Sequence, residues 1–261
     1  MSNFFTTEIS PITADGLSHI TVKSNALKKR ADLTVYIPEN DREIAGVVIL
    51  LHGVYGSHWA WTLKGNVHKT AQKLIDEKQL KPMILVMPSD GLFGDGSAYL
   101  PHKTEDYERW IVEDVIAVVR QQIDLVKTNT PHFITGLSMG GFGALRLGAK
   151  YSHIFTAFSG LSSITEFSQL KLFVEDFENL DDLVISKTSV LDEIIARKEY
   201  LSPFRFDCGV DDLLINYNRE LHDSLEKHQV SHIYKEFSGE HSWEYWTSHI
   251  AETLLFFNQF C

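Results

Sequence analysis

Three short, nearly unbroken apolar runs constrain this chain's fold most: 46–51 (Gly-Val-Val-Ile-Leu-Leu), 83–87 (Met-Ile-Leu-Val-Met) and 133–135 (Phe-Ile-Thr). A strand that is apolar on both faces must be covered on both faces, as a central strand of a parallel sheet is. Helical spacing fills the gaps, at 65–78 and at 105–126, where Trp110, Ile111, Val115, Val118 and Val119 form a stripe. A helix from Gly143 to about Lys150 follows, then an apolar run at 154–158, a strand at 204–208, a helix at 213–227, a strand at 233–237 and a last helix from 243. Ahead of the first run, 17–23 alternates and 33–38 follows a basic turn, so the N-terminal third reads as strands. This alternation predicts an α/β fold, with a mostly parallel central sheet and helices on both faces. Functional residues are then expected in loops at the carboxyl ends of strands.

At 261 residues and 44% apolar, the chain can bury a core without a disulfide or metal staple. Nothing in it reads as a repeat or a linker, so one domain over 1–261 is expected. A formal charge of -11 argues against nucleic acid and anionic membrane surfaces as partners. No apolar run is long enough to span a bilayer. Two cysteines, Cys208 and Cys261, and a start without basic and apolar leader regions point to the cytoplasm. A homo-oligomer stays open.

The segment Phe133-Ile-Thr-Gly136-Leu-Ser138-Met-Gly140-Gly-Phe-Gly143 sets Gly-x-Ser-x-Gly between a strand and a helix. Such a turn is so tight that the serine takes a strained backbone conformation, and side chains two positions away would clash. Ser138 is thereby lifted above the sheet over a helix N-terminus, which favours developing negative charge. Glycine-rich turns also serve packing or phosphate binding. The strand and helix flanks favour a nucleophile, and no phosphate-loop pattern occurs. The N–H of Met139, next after the nucleophile, is one expected oxyanion donor.

Around this turn the sequence resembles the esterase D-like family of α/β hydrolases, which includes tributyrin, feruloyl and acetylxylan esterases and S-formylglutathione hydrolases. Four further segments carry the resemblance: Leu-Leu-His52-Gly53-Val-Tyr-Gly-Ser, Met87-Pro-Ser-Asp90-Gly, Cys208-Gly209-Val-Asp-Asp212-Leu and Ser238-Gly-Glu-His241-Ser-Trp243-Glu-Tyr-Trp246. The resemblance implies an α/β-hydrolase fold and a serine carboxylesterase acting on a small-molecule ester, without cofactor. His241, between the last apolar run and the last helix, has the general base's place in the chain order Ser…Asp…His. Family spacing makes Asp212 the orienting carboxylate, with Asp211 expected as a helix cap and Asp207 a distant third. Val54 is the second oxyanion donor by resemblance, and His52 reads as a structural brace.

Tyr55, Trp59 and Trp61 are candidate substrate-binding residues, with simple core packing the alternative for the tryptophans. The glycine-rich stretch 90–99 is expected to form a mobile rim. Segment 160–202, with Phe167, Leu170, Phe173, Asp181 and Asp182, is expected to be a small cap insertion, or else a plain surface excursion. No metal site is expected: the sequence has no His-Glu-x-x-His, no Cys-x-x-Cys and no calcium-loop pattern. The rival activity is S-formylglutathione hydrolysis, but His52-Gly-Val-Tyr-Gly56 lacks the cysteine of those enzymes' Ser-Gly-Leu-Thr-Cys loop. A non-catalytic binding domain is the alternative of another class, and fluorophosphonate labelling separates the two.

Overall fold

The computed structural model describes residues 4–39, 43–91, 94–175 and 189–261. Strands β1 (Phe4–Ile9), β2 (Leu17–Ser24) and β3 (Arg30–Tyr36) form an antiparallel meander. It joins β4 (Gly46–Leu51), β5 (Met83–Pro88), β6 (His132–Gly136), β7 (Phe155–Leu161), β8 (Phe204–Gly209) and β9 (Ile233–Phe237) in one sheet. The strand order is β1-β2-β3-β5-β4-β6-β7-β8-β9. β3 meets β5 antiparallel, and every pair from β5 to β9 is parallel.

The helices are α1 (Ala60–Leu63), α2 (Val67–Asp76), α3 (Tyr107–Arg109), α4 (Ile116–Gln122), α5 (Met139–Lys150), α6 (Val190–Ile195), α7 (Ile215–Lys227) and α8 (Trp243–Phe257). They divide the core in two. Val47, Ile49 and Leu51 of β4 face one layer, with Ile134, Leu145 and Phe158. Val48 and Leu50 face the other, with Trp61, Phe133 and Phe257. Alternate side chains of a strand point to opposite faces, so a strand covered twice must be apolar throughout. Each such buried Val or Leu contributes about 1.5–3 kcal/mol.

Several expectations shift. β1 lacks a sequence signal because only Phe4 of it is buried. The helix expected at 65–78 is α2, which starts at Val67 behind Asn66 with φ 47°, and a short helix, α1, that was not expected precedes it. The one expected at 105–126 contains a π-helical turn over Trp110–Val115, and Trp110 Nε1 at its start donates to the Ser89 carbonyl at 2.8 Å. The helix after the serine begins at Met139, directly behind the turn. In segment 160–202, a 3₁₀ turn (Phe167–Leu172) buries Phe167 and Leu170, and α6 follows. Asp181 and Asp182 lie outside the described residues. Both cysteines are free thiols. Among the described residues, no helix is long and apolar enough to cross a membrane.

Candidate active site

The end of β4 pairs with the end of β6, Leu51 opposite Gly136, so the loops after both strands open side by side. Ser138 holds φ 54° and ψ -118°, a conformation L-residues rarely adopt. Contacts on both sides lock it: the Ser138 N–H donates to the Leu161 carbonyl at 3.0 Å, and its own carbonyl accepts from the Ile164 N–H at 3.2 Å. A Cβ on Gly136 would strike the Gly140 carbonyl, and one on Gly140 the Leu51 carbonyl. The two glycines of the motif are therefore required by backbone approach.

Asp212 and His241 arrive from the loops after β8 and β9. Asp212 is 2% exposed. The Nδ1–H of His241 donates to its two carboxylate oxygens, at 2.9 and 3.0 Å. That bond leaves the Nε2 lone pair free to accept from the Ser138 hydroxyl at 3.0 Å. Phe173 lies tilted at 5.0 Å from the imidazole and Trp246 meets it edge-on at 5.0 Å, which fixes the ring plane. The expectations for Ser138, Asp212 and His241 thus converge on one hydrogen-bonded chain.

The neighbouring carboxylates behave otherwise. Asp211 is exposed and caps nothing: α7 starts after Leu214 without a side-chain cap. The amide near that helix start, Leu214 N–H, is taken by Asp212 Oδ1 at 2.8 Å, so one carboxylate serves both loop and imidazole. Asp207 is fully buried, and burial pushes its carboxyl up to about 6. It accepts from Tyr245 at 2.8 Å and lies 2.9 Å from Arg205, remote from His241 in its bonding.

The loop after β4 is braced from behind. His52 is 2% exposed. Its Nδ1–H donates to the Gly53 carbonyl at 2.7 Å, and its Nε2 accepts from the Asp90 N–H at 3.0 Å. The Gly56 N–H binds the same Gly53 carbonyl at 3.2 Å. Across a trans peptide the N–H opposes the carbonyl, so anchoring the Gly53 carbonyl points the Val54 N–H away from His52. Met139, first residue of α5, has no intrahelical acceptor for its N–H. The stretch 90–99 is no loose rim in its described part. Ser97 N–H donates to Asp90 at 2.7 Å and the Tyr99 hydroxyl to the His52 carbonyl at 2.9 Å, so it forms the brace's outer layer.

A cavity of about 300 Å³ opens over Ser138, its walls including Tyr55, Trp59, Phe173, Trp243 and Trp246. Tyr55 and Trp59 stand there as expected. Trp61 does not. It is 1% exposed, donates to the Leu51 carbonyl at 3.0 Å and packs edge-on behind Trp243 at 5.6 Å. Its large ring is used as core, supporting a wall it does not form. Phe173, Trp243 and Trp246 carry no such expectation from sequence. Trp243 and Trp246 were legible in principle, because residues three apart on a helix share a face and these directly follow His241.

Comparison with known proteins follows the same lines. Residues 24–192 match the model of the Esterase family, described as Putative esterase, over more than half of the chain. The chain belongs to that family. This esterase is a carboxylic ester hydrolase of the α/β-hydrolase fold. It is 25% identical to an acetyl esterase of Caldicellulosiruptor saccharolyticus, covering 90% of this chain and 95% of that one. A ferulic acid esterase structure superimposes with a TM-score of 0.80 at 23% identity, covering 99% of both chains. The fluorophosphonate-binding serine hydrolase F of Staphylococcus aureus, solved with substrate bound, gives a TM-score of 0.79 at 22% identity, covering 92% of this chain and 97% of that one. At these identities the two structures bear on the fold alone.

Proposed function

We propose that this esterase hydrolyses short-chain acyl esters, acetyl to butyryl, with Ser138 as nucleophile, His241 as general base and acid, and Asp212 as the carboxylate that orients the imidazole. The single observation carrying the reading is the chain from Asp212 through His241 to the Ser138 hydroxyl, at 2.9 and 3.0 Å. A serine hydroxyl is a weak nucleophile until a base takes its proton. His241 takes that proton as Ser138 Oγ bonds to the ester carbonyl carbon. The carbonyl oxygen becomes an oxyanion, held by the N–H groups of Val54 and Met139. Collapse of this intermediate breaks the ester C–O bond. His241 passes its proton to the leaving alcohol, and an acyl-Ser138 remains. Water, deprotonated by His241, attacks the acyl carbon and releases the acid and free Ser138.

Tyr55, Trp59, Phe173, Trp243 and Trp246 would bound the acyl group and exclude water around it. Their bulk and the modest cavity favour short acids, and the acetyl esterase relative supports the same end of the range. The test pairs fluorophosphonate labelling with p-nitrophenyl acetate turnover, for the wild type and Ser138→Ala. Labelling should vanish and turnover fall to the residual level of binding and oxyanion stabilisation, on the order of 10³–10⁴-fold over water. A folded Ser138→Ala that is labelled, or that turns over like wild type, overturns the assignment.

A further inference from the structure

The far end of α7 and the approach to β9 bring together three side chains that the ester chemistry does not use. His222 and Glu226 lie one turn apart on α7, and His232 directly precedes β9. His222 Nδ1 and His232 Nε2 are 2.8 Å apart, and one ring nitrogen of each histidine and a Glu226 carboxylate oxygen lie within 4.8 Å of one another. Both rings are held in place. His232 stacks on Phe204 and Phe206 at 5.8 and 5.6 Å, and His222 stacks on Tyr234 at 4.8 Å. The His232 Nδ1–H donates to the Val230 carbonyl at 2.8 Å, which aims the Nε2 lone pair at the cluster. A backbone carbonyl on the far nitrogen is the usual support of a metal-bound imidazole.

We propose that His222, Glu226 and His232 bind a divalent first-row transition cation, with Zn²⁺ the representative, at a structural site separate from the ester chemistry. Two imidazole nitrogens and one carboxylate are a donor set suited to such ions. Nitrogens 2.8 Å apart are hydrogen-bonded to each other; about 2.1 Å from a shared tetrahedral zinc they would stand about 3.4 Å apart, so binding parts the two rings by roughly 0.6 Å, Glu226 adds the third ligand and water the fourth. Without a cation the two nitrogens share one hydrogen, His222 Nδ1–H donating to His232 Nε2. On binding, that hydrogen moves to His222 Nε2, both facing lone pairs turn to the metal, and no net proton is released. The three ligands are not contiguous in sequence, which is why no metal motif shows there. The clip would join α7, which follows the Asp212 loop, to β9, which precedes the His241 loop.

The experiment is calorimetric titration of the EDTA-stripped, full-length enzyme with Zn²⁺, beside thermal melts with and without the ion. The expected result is one tight equivalent per chain and a higher melting temperature. Glu226→Gln, at an exposed position, should weaken binding at least tenfold while leaving the melt in EDTA unchanged. His232→Gln should abolish the tight equivalent, and His228→Gln, on an exposed histidine at the end of the same helix, should leave it intact. Absence of a tight equivalent in the wild type, or its persistence in both Glu226→Gln and His232→Gln, overturns the proposal.

Discussion

Asp211 and Asp212, one peptide bond apart, meet opposite environments: Asp212 is buried with its carboxylate 2.9 Å from His241 Nδ1, while Asp211 is exposed and its backbone N–H donates to the Gly239 carbonyl at 3.1 Å. On the proposed mechanism only one of them matters. Asp212→Asn keeps the shape but favours the wrong imidazole tautomer, so kcat should fall on the order of 10⁴-fold. Asp211→Asn should leave kcat and Tm near wild type. The two variants are compared by steady-state kinetics and melting. A dead Asp211→Asn beside an active Asp212→Asn would reverse the assignment.

His52 should act on the rate without touching the ester. Its hold on the Gly53 carbonyl sets the direction of the Val54 N–H. His52→Phe fills similar space with no donor and frees that peptide to turn. The expected loss is about 10²-fold in kcat, the lower end of what one oxyanion donor is worth, with KM little changed. His52→Asn, whose amide can reach the same carbonyl, should recover part of it. A folded His52→Phe with wild-type kcat would remove the brace from the mechanism.

Acyl length is read from kcat/KM across p-nitrophenyl esters. Each methylene accommodated in an apolar pocket is worth about 1–3 kcal/mol, and one that is refused gains nothing. With a cavity of about 300 Å³ walled by Tyr55, Trp59 and Phe173, butyrate should be cleaved at least ten times faster than dodecanoate. Trp59→Ala should move the optimum toward longer chains. A wild type that prefers dodecanoate contradicts the short-chain assignment.

His132 on β6 makes stability depend on pH. Burial, reinforced by the charge of Arg120, pushes its imidazole down to about 4 from the ordinary 6.5, against the raising effect of its bond to the Thr130 carbonyl. The unfolded chain therefore binds a proton that the native one refuses. The stability linked to this group is complete above about 6.5 and is lost as pH falls toward about 4, roughly 3 kcal/mol in all at 1.36 per unit. Urea unfolding at pH 7.5 and 4.5 should show a steeper decline for wild type than for His132→Leu. Parallel declines would contradict the shift.

The sheet's interior was legible because β4, β5 and β6 are covered on both faces and had to be apolar throughout. β1 was not, since an edge strand with one buried side chain leaves no pattern. The serine turn was legible because its glycines answer to backbone contacts that hold whatever surrounds them. The pocket was only half legible. Trp59 and Trp61 are two residues apart in one segment, yet one faces the cavity and the other the core. That division depends on how α1 turns against α8, which is a tertiary fact. The role of stretch 90–99 was hidden for the same reason, because Asp90 and Tyr99 find their partners around His52, far away in sequence.

The order of strands separates how the parts of the site can fail. Ser138 follows β6, which has partners on both sides, whereas His241 follows β9, at the sheet's margin, which among the described residues pairs with β8 alone. Segments at a margin open more readily than those at the centre. A transient fraying of β9 would withdraw the imidazole while the serine turn kept its shape. Loss of turnover in mild denaturant should then run ahead of loss of ellipticity, and amide exchange at 233–237 ahead of exchange at 132–136. Such an enzyme would fall silent before it unfolds, and would recover as soon as its last strand zipped back.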